Sequence, residues 1–267
     1  MGFFSWLFRK KQKNIKLGIA LGSGGAKGFA ELGVLQALAE NGIKFDIVGG
    51  TSIGSIVGAF YADDYSPTDI VEMLKRIRPK EIISGLGIGM DMSALESVID
   101  RELGYKNIEE LKKPFVCIAT DMGRGSEKAF YEGKTATRLC ASSSMQPYFK
   151  PVEIDGVKYV DGAYVNSIPA DKVRQMGADY VVGVDLRTPQ GKPSFLSRFI
   201  PSYKSDVEEP WAVGYANCDV MIHPDLTGYT SMSFAGAMPM FELGYAKAME
   251  LIPTIKKDIA KLKASKK

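Results

Sequence analysis

Histidine is all but absent from this sequence: His223 is the single one in the chain, so any triad chemistry has to run through that residue. Cysteine is scarce as well. Cys117, Cys140 and Cys218 are widely spaced and form no C-x-x-C pair, which argues against a disulfide framework and a zinc site and fits a reducing compartment. No run of about 18 apolar residues occurs, so no membrane-spanning helix is expected. The N-terminus lacks the long apolar stretch and small-residue cleavage site of a secretory leader, and the expectation is a cytoplasmic protein. No metal or cofactor is expected.

What is present suffices for one large core. The 267 residues are 45% hydrophobic and 24% charged, a composition that excludes a disordered chain. The formal charge of +3 is unevenly spread. Residues 1–13 hold Arg9, Lys10, Lys11 and Lys13 with no acid, and residues 256–267 hold six lysines and one aspartate. The 242 residues between them carry 24 basic against 30 acidic groups, whereas a nucleic-acid binder concentrates positive charge on its folded body. The N-terminal run "GFFSWLF" puts four aromatic residues beside the basic cluster. That composition suits peripheral contact with an anionic membrane, the plainer reading being a solvated end.

Along the chain, glycine-bounded apolar runs alternate with helical periodicity, which predicts an α/β fold with a mostly parallel sheet covered by helices. Strands are expected at 16–21, 45–48, 115–119, 159–160, 180–185 and 220–222. Helices are expected at 28–41, 55–61, 67–77, 93–103, 136–143 and 169–176, and from about Met240 onwards. The stretches 84–90 and 188–210 read as irregular, the second being long enough to act as a flap.

Two glycine clusters stand at strand-to-helix junctions. In "GGTSIGS", Gly50-x-Ser52-x-Gly54 fits a nucleophile elbow, in which flanking glycines remove Cβ atoms that would collide and leave the serine oxygen exposed at a helix N-terminus. The same residues also suit close packing of a helix on a strand. In "LGSGGAKGF", the G-x-G-x-x-G spacing fails because Lys27 stands at the sixth place, and no Gly-Lys-Ser/Thr of a phosphate loop is present. What survives is a nest of backbone N–H groups from Ser23 to Gly25 with Lys27 nearby, which suits either an oxyanion hole or a tight packing turn. Asp121 and Asp185 end apolar strands, where they could reach the crevice at the strand C-termini, and read rather as structural or supporting residues; Ser142, Ser143 and Ser144, without elbow glycines, read as packing or capping residues.

With "VDGAYV" (Asp161-Gly162-Ala163) added, the three motifs, in this order and spacing, resemble the patatin-like phospholipase family from about Ile15 to Leu251. The resemblance implies a three-layer α/β/α domain over 14–255 between tails 1–13 and 256–267. It implies a serine lipid acyl hydrolase with Ser52 as nucleophile and Asp161 as proton acceptor. The backbone N–H groups of Gly24, Gly25 and Ile53 would be oxyanion donors, with Ser23, Lys27, Gly28, Gly50, Gly54, Gly162 and Ala163 completing the motifs. Ser23 stands where the plant-type loop has its first glycine. The implied partner is a phospholipid or other acyl lipid. A dyad requires Asp161 to be partly desolvated and held by backbone donors such as that of Ala163. Three alternatives stay open: a Ser-His-Asp esterase or thioesterase through His223, an acyltransferase, and a non-catalytic lipid-binding regulator that keeps the fold.

Overall fold

The structure, a computed structural model, describes residues 14–76, 89–188 and 203–265. The aromatic-basic segment 1–13, most of the 84–90 stretch and residues 189–202 lie outside the described residues.

Among the described residues eight strands form one sheet: β1 (Leu17–Leu21), β2 (Ile47–Thr51), β3 (Phe115–Asp121), β4 (Ser126–Phe130), β5 (Val152–Ile154), β6 (Val157–Asp161), β7 (Tyr180–Val184) and β8 (Val220–Ile222). The centre is parallel in the order β3-β2-β1-β7-β8. β2, β3 and β7 are buried at every position, which is why they read as continuous apolar runs rather than alternating ones. Alternate residues face two separate cores. Ile19, Leu21, Val48, Cys117, Ala119, Val182 and Val184 enter the larger one. On the opposite face Ala20, Ile47 and Val181 pack with Ile168, Ala170 and Val173, and Val116 and Ile118 pack with Val165. Helices thus cover both faces of the sheet, giving three α/β/α layers.

The thicker helical layer contains α1 (Gly28–Glu40), α2 (Ile53–Ala62), α3 (Pro67–Arg76), α4 (Ser93–Glu102), α5 (Thr135–Ser142) and the long α8 (Ala237–Ser265); α6 (Ala170–Gln175) and α7 (Ala212–Asn217) lie on the other side. α1 is buried almost all round because α8 lies along its outer side. Their backbones touch: a Cβ added to Gly33 would lie 1.9 Å from the Phe241 carbonyl oxygen. α8 buries a stripe of Met240, Gly244, Ala248, Ile252, Ile255 and Ile259 and runs on through the basic 256–265 segment. Among the described residues no helix is long and apolar enough to cross a membrane.

Several boundaries differ from the sequence reading. β2 runs through Gly49 and Gly50 to Thr51, because β1 and β3 supply ladder partners for residues whose propensity argues against a strand. α2 follows one residue later, at Ile53. β4 and β5 are unanticipated, since both are short and carry polar residues on their open faces.

The register around β3 positions the site. β4 pairs with Cys117–Asp121 along one edge. β2 pairs with Phe115–Ile118 and β6 with Ala119–Asp121, each overlapping β4, so both must occupy the other edge. One arrives parallel and the other antiparallel. Their C-terminal ends therefore meet head to head, Thr51 opposite Ile118 and Asp161 opposite Ala119.

Candidate active site

This meeting of strand ends brings Ser52 and Asp161 together across 109 residues of chain, with Ser52 Oγ donating to Asp161 Oδ2 at 2.7 Å. Ser52 sits at φ 57° and ψ −126°, a left-handed conformation that costs a non-glycine residue on the order of 1–3 kcal/mol. The strain turns the chain from β2 into α2 within one residue. Both elbow glycines are required by space: a Cβ on Gly50 would lie 2.2 Å from the Gly54 carbonyl oxygen, and one on Gly54 would lie 2.6 Å from that of Gly22. The Ser52 carbonyl accepts from the N–H groups of Ser55 and Ile56 and from the Ser55 hydroxyl, and its N–H donates to Ser142 Oγ at 2.9 Å.

Asp161 is fully buried. Its Oδ1 accepts the Ala163 N–H at 2.8 Å, the donor anticipated from "DGA". The Asp161 N–H donates to the Ser144 carbonyl at 3.1 Å, and its carbonyl accepts from Thr120 Oγ1 at 2.8 Å. Desolvation pushes the carboxyl up from 3.8 to about 7, against the opposing pull of the Ala163 N–H and the Ser52 hydroxyl. Gly162 makes the turn after β6 possible, since a Cβ there would lie 2.2 Å from the Ile118 carbonyl oxygen.

The glycine loop after β1 lies against the elbow. Gly28, which opens α1, touches Ile53, which opens α2: a Cβ on Gly28 would lie 2.3 Å from Ile53 Cγ1. Gly25 adopts φ +57°, and a Cβ there would meet the Ser231 carbonyl oxygen at 2.3 Å. The Ser23 N–H is spent on the Ser167 carbonyl at 3.0 Å and that of Ala26 on Ser231 at 2.8 Å. The nest read as Ser23 to Gly25 is thus open only at Gly24 and Gly25. Those two N–H groups and that of Ile53 find no acceptor among the described residues. Lys27 is largely buried and donates from Nζ to Thr188 Oγ1 at 2.7 Å; burial lowers its pKa, and the charge of Asp185 opposes that shift.

Other sequence candidates are engaged elsewhere. His223 contacts the Arg187 carbonyl through Nε2 at 2.8 Å and the Tyr215 hydroxyl through Nδ1 at 3.5 Å, and neither Ser52 nor Asp161 is among its hydrogen-bond partners. Asp185 takes the Arg187 guanidinium and the Tyr215 hydroxyl, while Arg187 stacks 4.1 Å over the Trp211 ring. Asp121 caps the turn at Gly123 and Arg124. Among the described residues no group of three or more His, Cys, Asp or Glu side chains is placed to hold a metal. The contact that sequence reasoning misses is Ser142 on Ser52: the two lie 90 residues apart, and no local pattern marks an acceptor for a backbone N–H.

A hydroxyl bonded to a desolvated carboxylate, beside N–H groups that lack acceptors, can pass its proton to that carboxylate and attack a carbonyl carbon. A family model described as patatin-like phospholipase matches residues 19–174. The chain is 34% identical over 206 residues to patatin-like phospholipase domain-containing protein 7 of Mus musculus, covering 68% of this chain and 14% of that protein. It is 35% identical over 182 residues to patatin-like phospholipase domain-containing protein 6 of Homo sapiens, covering 64% and 13%. To lysophospholipase nte1 of Aspergillus niger it is 27% identical over 285 residues, covering 91% and 18%. The chain thus spans less than a fifth of the length of each of these relatives. The crystal structure of VipD from Legionella pneumophila shares the fold, with a TM-score of 0.62 at 14% identity over 90% of this chain and 67% of that one. The matched segment takes in more than half of the sequence and all three motifs, and the chain belongs to the patatin-like phospholipase family.

Proposed function

We propose that the chain is a serine hydrolase of carboxylic ester bonds in acyl lipids, of the phospholipase A or lysophospholipase type, working through a Ser52–Asp161 dyad. The observation that carries this reading is the 2.7 Å hydrogen bond from Ser52 Oγ to the buried Asp161 carboxylate. Ser52 Oγ attacks the ester carbonyl carbon and its proton passes to Asp161 Oδ2. The carbonyl oxygen, negative in the tetrahedral intermediate, is received by the open N–H groups of Gly24, Gly25 and Ile53 at the start of α2. Collapse breaks the ester C–O bond, Asp161 returns the proton to the departing alcohol, and acyl-Ser52 remains. Water then repeats the sequence, giving its proton to Asp161 and releasing the fatty acid as Ser52 is reprotonated. A base near pKa 7 suits this task, because about half of it is ionised at neutral pH and it is basic enough to accept a hydroxyl proton in the transition state.

The family and the lysophospholipase relative support acyl lipids as substrate class. The test is turnover of a lysophospholipid and of a short soluble ester by three variants. Ser52→Ala is expected to be inactive, Asp161→Asn to lose at least about a hundredfold in kcat, and His223→Ala to stay within a few-fold of wild type. A folded His223→Ala that loses more than Asp161→Asn would replace the dyad with a triad.

A further inference from the structure

The run Ser142-Ser143-Ser144 touches both halves of the site. It lies at the end of α5, where Ser142 is the last helical residue. Ser142 Oγ accepts the backbone N–H of Ser52, and the Ser144 carbonyl, two residues on, accepts the backbone N–H of Asp161. Ser144 is itself anchored, its hydroxyl donating to the Lys150 carbonyl at 2.6 Å. Ser142 and Ser144 are fully buried. One short turn therefore spans the two strand ends that meet beside β3.

We infer that Ser142 is a positioning residue for the reaction: by holding the Ser52 N–H it fixes the left-handed elbow and the aim of the nucleophile at Asp161. This inference rests on the Ser52–Asp161 reading proposed above. Three features separate it from ordinary packing. The elbow is strained, so some contact has to hold it against relaxation. The bond falls on the backbone of the reacting residue itself, while that residue's side chain is engaged by Asp161, so main chain and side chain are held by separate elements, the end of α5 and the end of β6. And with its N–H turned to Ser142, Ser52 has no donor left for the substrate oxygen, which leaves that task to Ile53 and the glycine loop. Ser142 touches no reacting atom in this scheme; it acts through Ser52.

The test compares the full-length chain with Ser142→Ala and Ser142→Thr, each counted by active-site titration so that rates refer to folded molecules. Alanine fits the serine's space and lacks the acceptor; threonine restores the oxygen. The expected result is a fall in kcat of about tenfold to a hundredfold for Ser142→Ala, with KM within about twofold of wild type, and recovery of most of the rate in Ser142→Thr. Thermal unfolding of each variant is read alongside. A Ser142→Ala protein that turns over within about twofold of wild type per titrated site overturns the inference, whatever its melting temperature, because lost packing alone lowers stability and leaves the rate of the folded molecules intact. If Ser142→Thr does not fold, the kcat-against-KM split of Ser142→Ala decides. Ser52→Ala separates the two levels. Activity surviving Ser52→Ala overturns the underlying site reading together with this inference, whereas activity lost with Ser52→Ala but untouched by Ser142→Ala overturns this inference alone.

Discussion

At Asp161 the proposed role of proton acceptor costs stability. Desolvation holds its carboxyl at about 7, so the folded protein keeps a proton that the unfolded chain, with an ordinary value of 3.8, releases. The unfolded state thus binds fewer protons between these limits, and stability falls as pH rises from about 4 to about 7, then levels off. The predicted total is on the order of 4 kcal/mol. Asp161→Asn should therefore match wild type near pH 4 and exceed it in urea unfolding at pH 8, while being nearly inactive. Rate moves the opposite way: kcat/KM should rise with pH, about tenfold per pH step below 7, and plateau above it. A profile flat from pH 5 to 8 would show that Asp161 is not the group whose ionisation permits attack. Much at this scale is legible in the sequence. Gly50-x-Ser52-x-Gly54 declares itself because the steric demand is local, and "DGA" because the Asp161 carboxylate accepts the Ala163 N–H two residues away. Ser142 is illegible because its contact exists only once α5 is packed beside the end of β2.

Among the elements, the glycine loop between β1 and α1 makes the sharpest demand on its sequence. Gly25 combines a positive φ with a carbonyl oxygen where a Cβ would go, whereas Gly42, beyond the end of α1, has φ +75° and open space around it. Gly25→Ala has to push the loop off Ser231 and turn the open N–H groups, so kcat should fall about tenfold or more in a protein that still folds. Gly42→Ala carries only the conformational penalty, and its kcat should remain that of wild type. Equal rates for the two variants would mean that the loop does not serve the chemistry. Glycine-bounded apolar runs and helical periodicity predict the parallel strands and most of their covering helices. The sequence does not reveal β4, β5 and α7, whose short, polar or isolated segments carry no period of their own. Nor does it reveal that β6 and β2 share one edge of β3, since register depends on partners brought together by the fold.

On the scale of the whole molecule, the acidic body and basic ends pose the question of how the proposed lipid substrate is reached. Lys256, Lys257, Lys261 and Lys263 are exposed on α8, whose buried stripe faces α1 and the sheet; Lys256 donates to Asn41 and Lys261 pairs with Asp258, and the segment keeps a net positive charge toward solvent. The aromatic-basic segment 1–13 adds four more cations, each worth roughly 1 kcal/mol near such a surface before salt screening. Removing residues 1–13 should weaken co-sedimentation with phosphatidylserine vesicles at low salt and leave hydrolysis of a short soluble ester unchanged. Equal sedimentation at every salt concentration would assign any membrane contact to other surfaces, α8 first. Whether Ser52 is the nucleophile is decided on the intact protein by a fluorophosphonate probe followed by peptide mapping. One adduct is expected, on Ser52, formed at a rate that rises through about pH 7 and abolished by Ser52→Ala. An adduct on a different serine, persisting in Ser52→Ala, would contradict it.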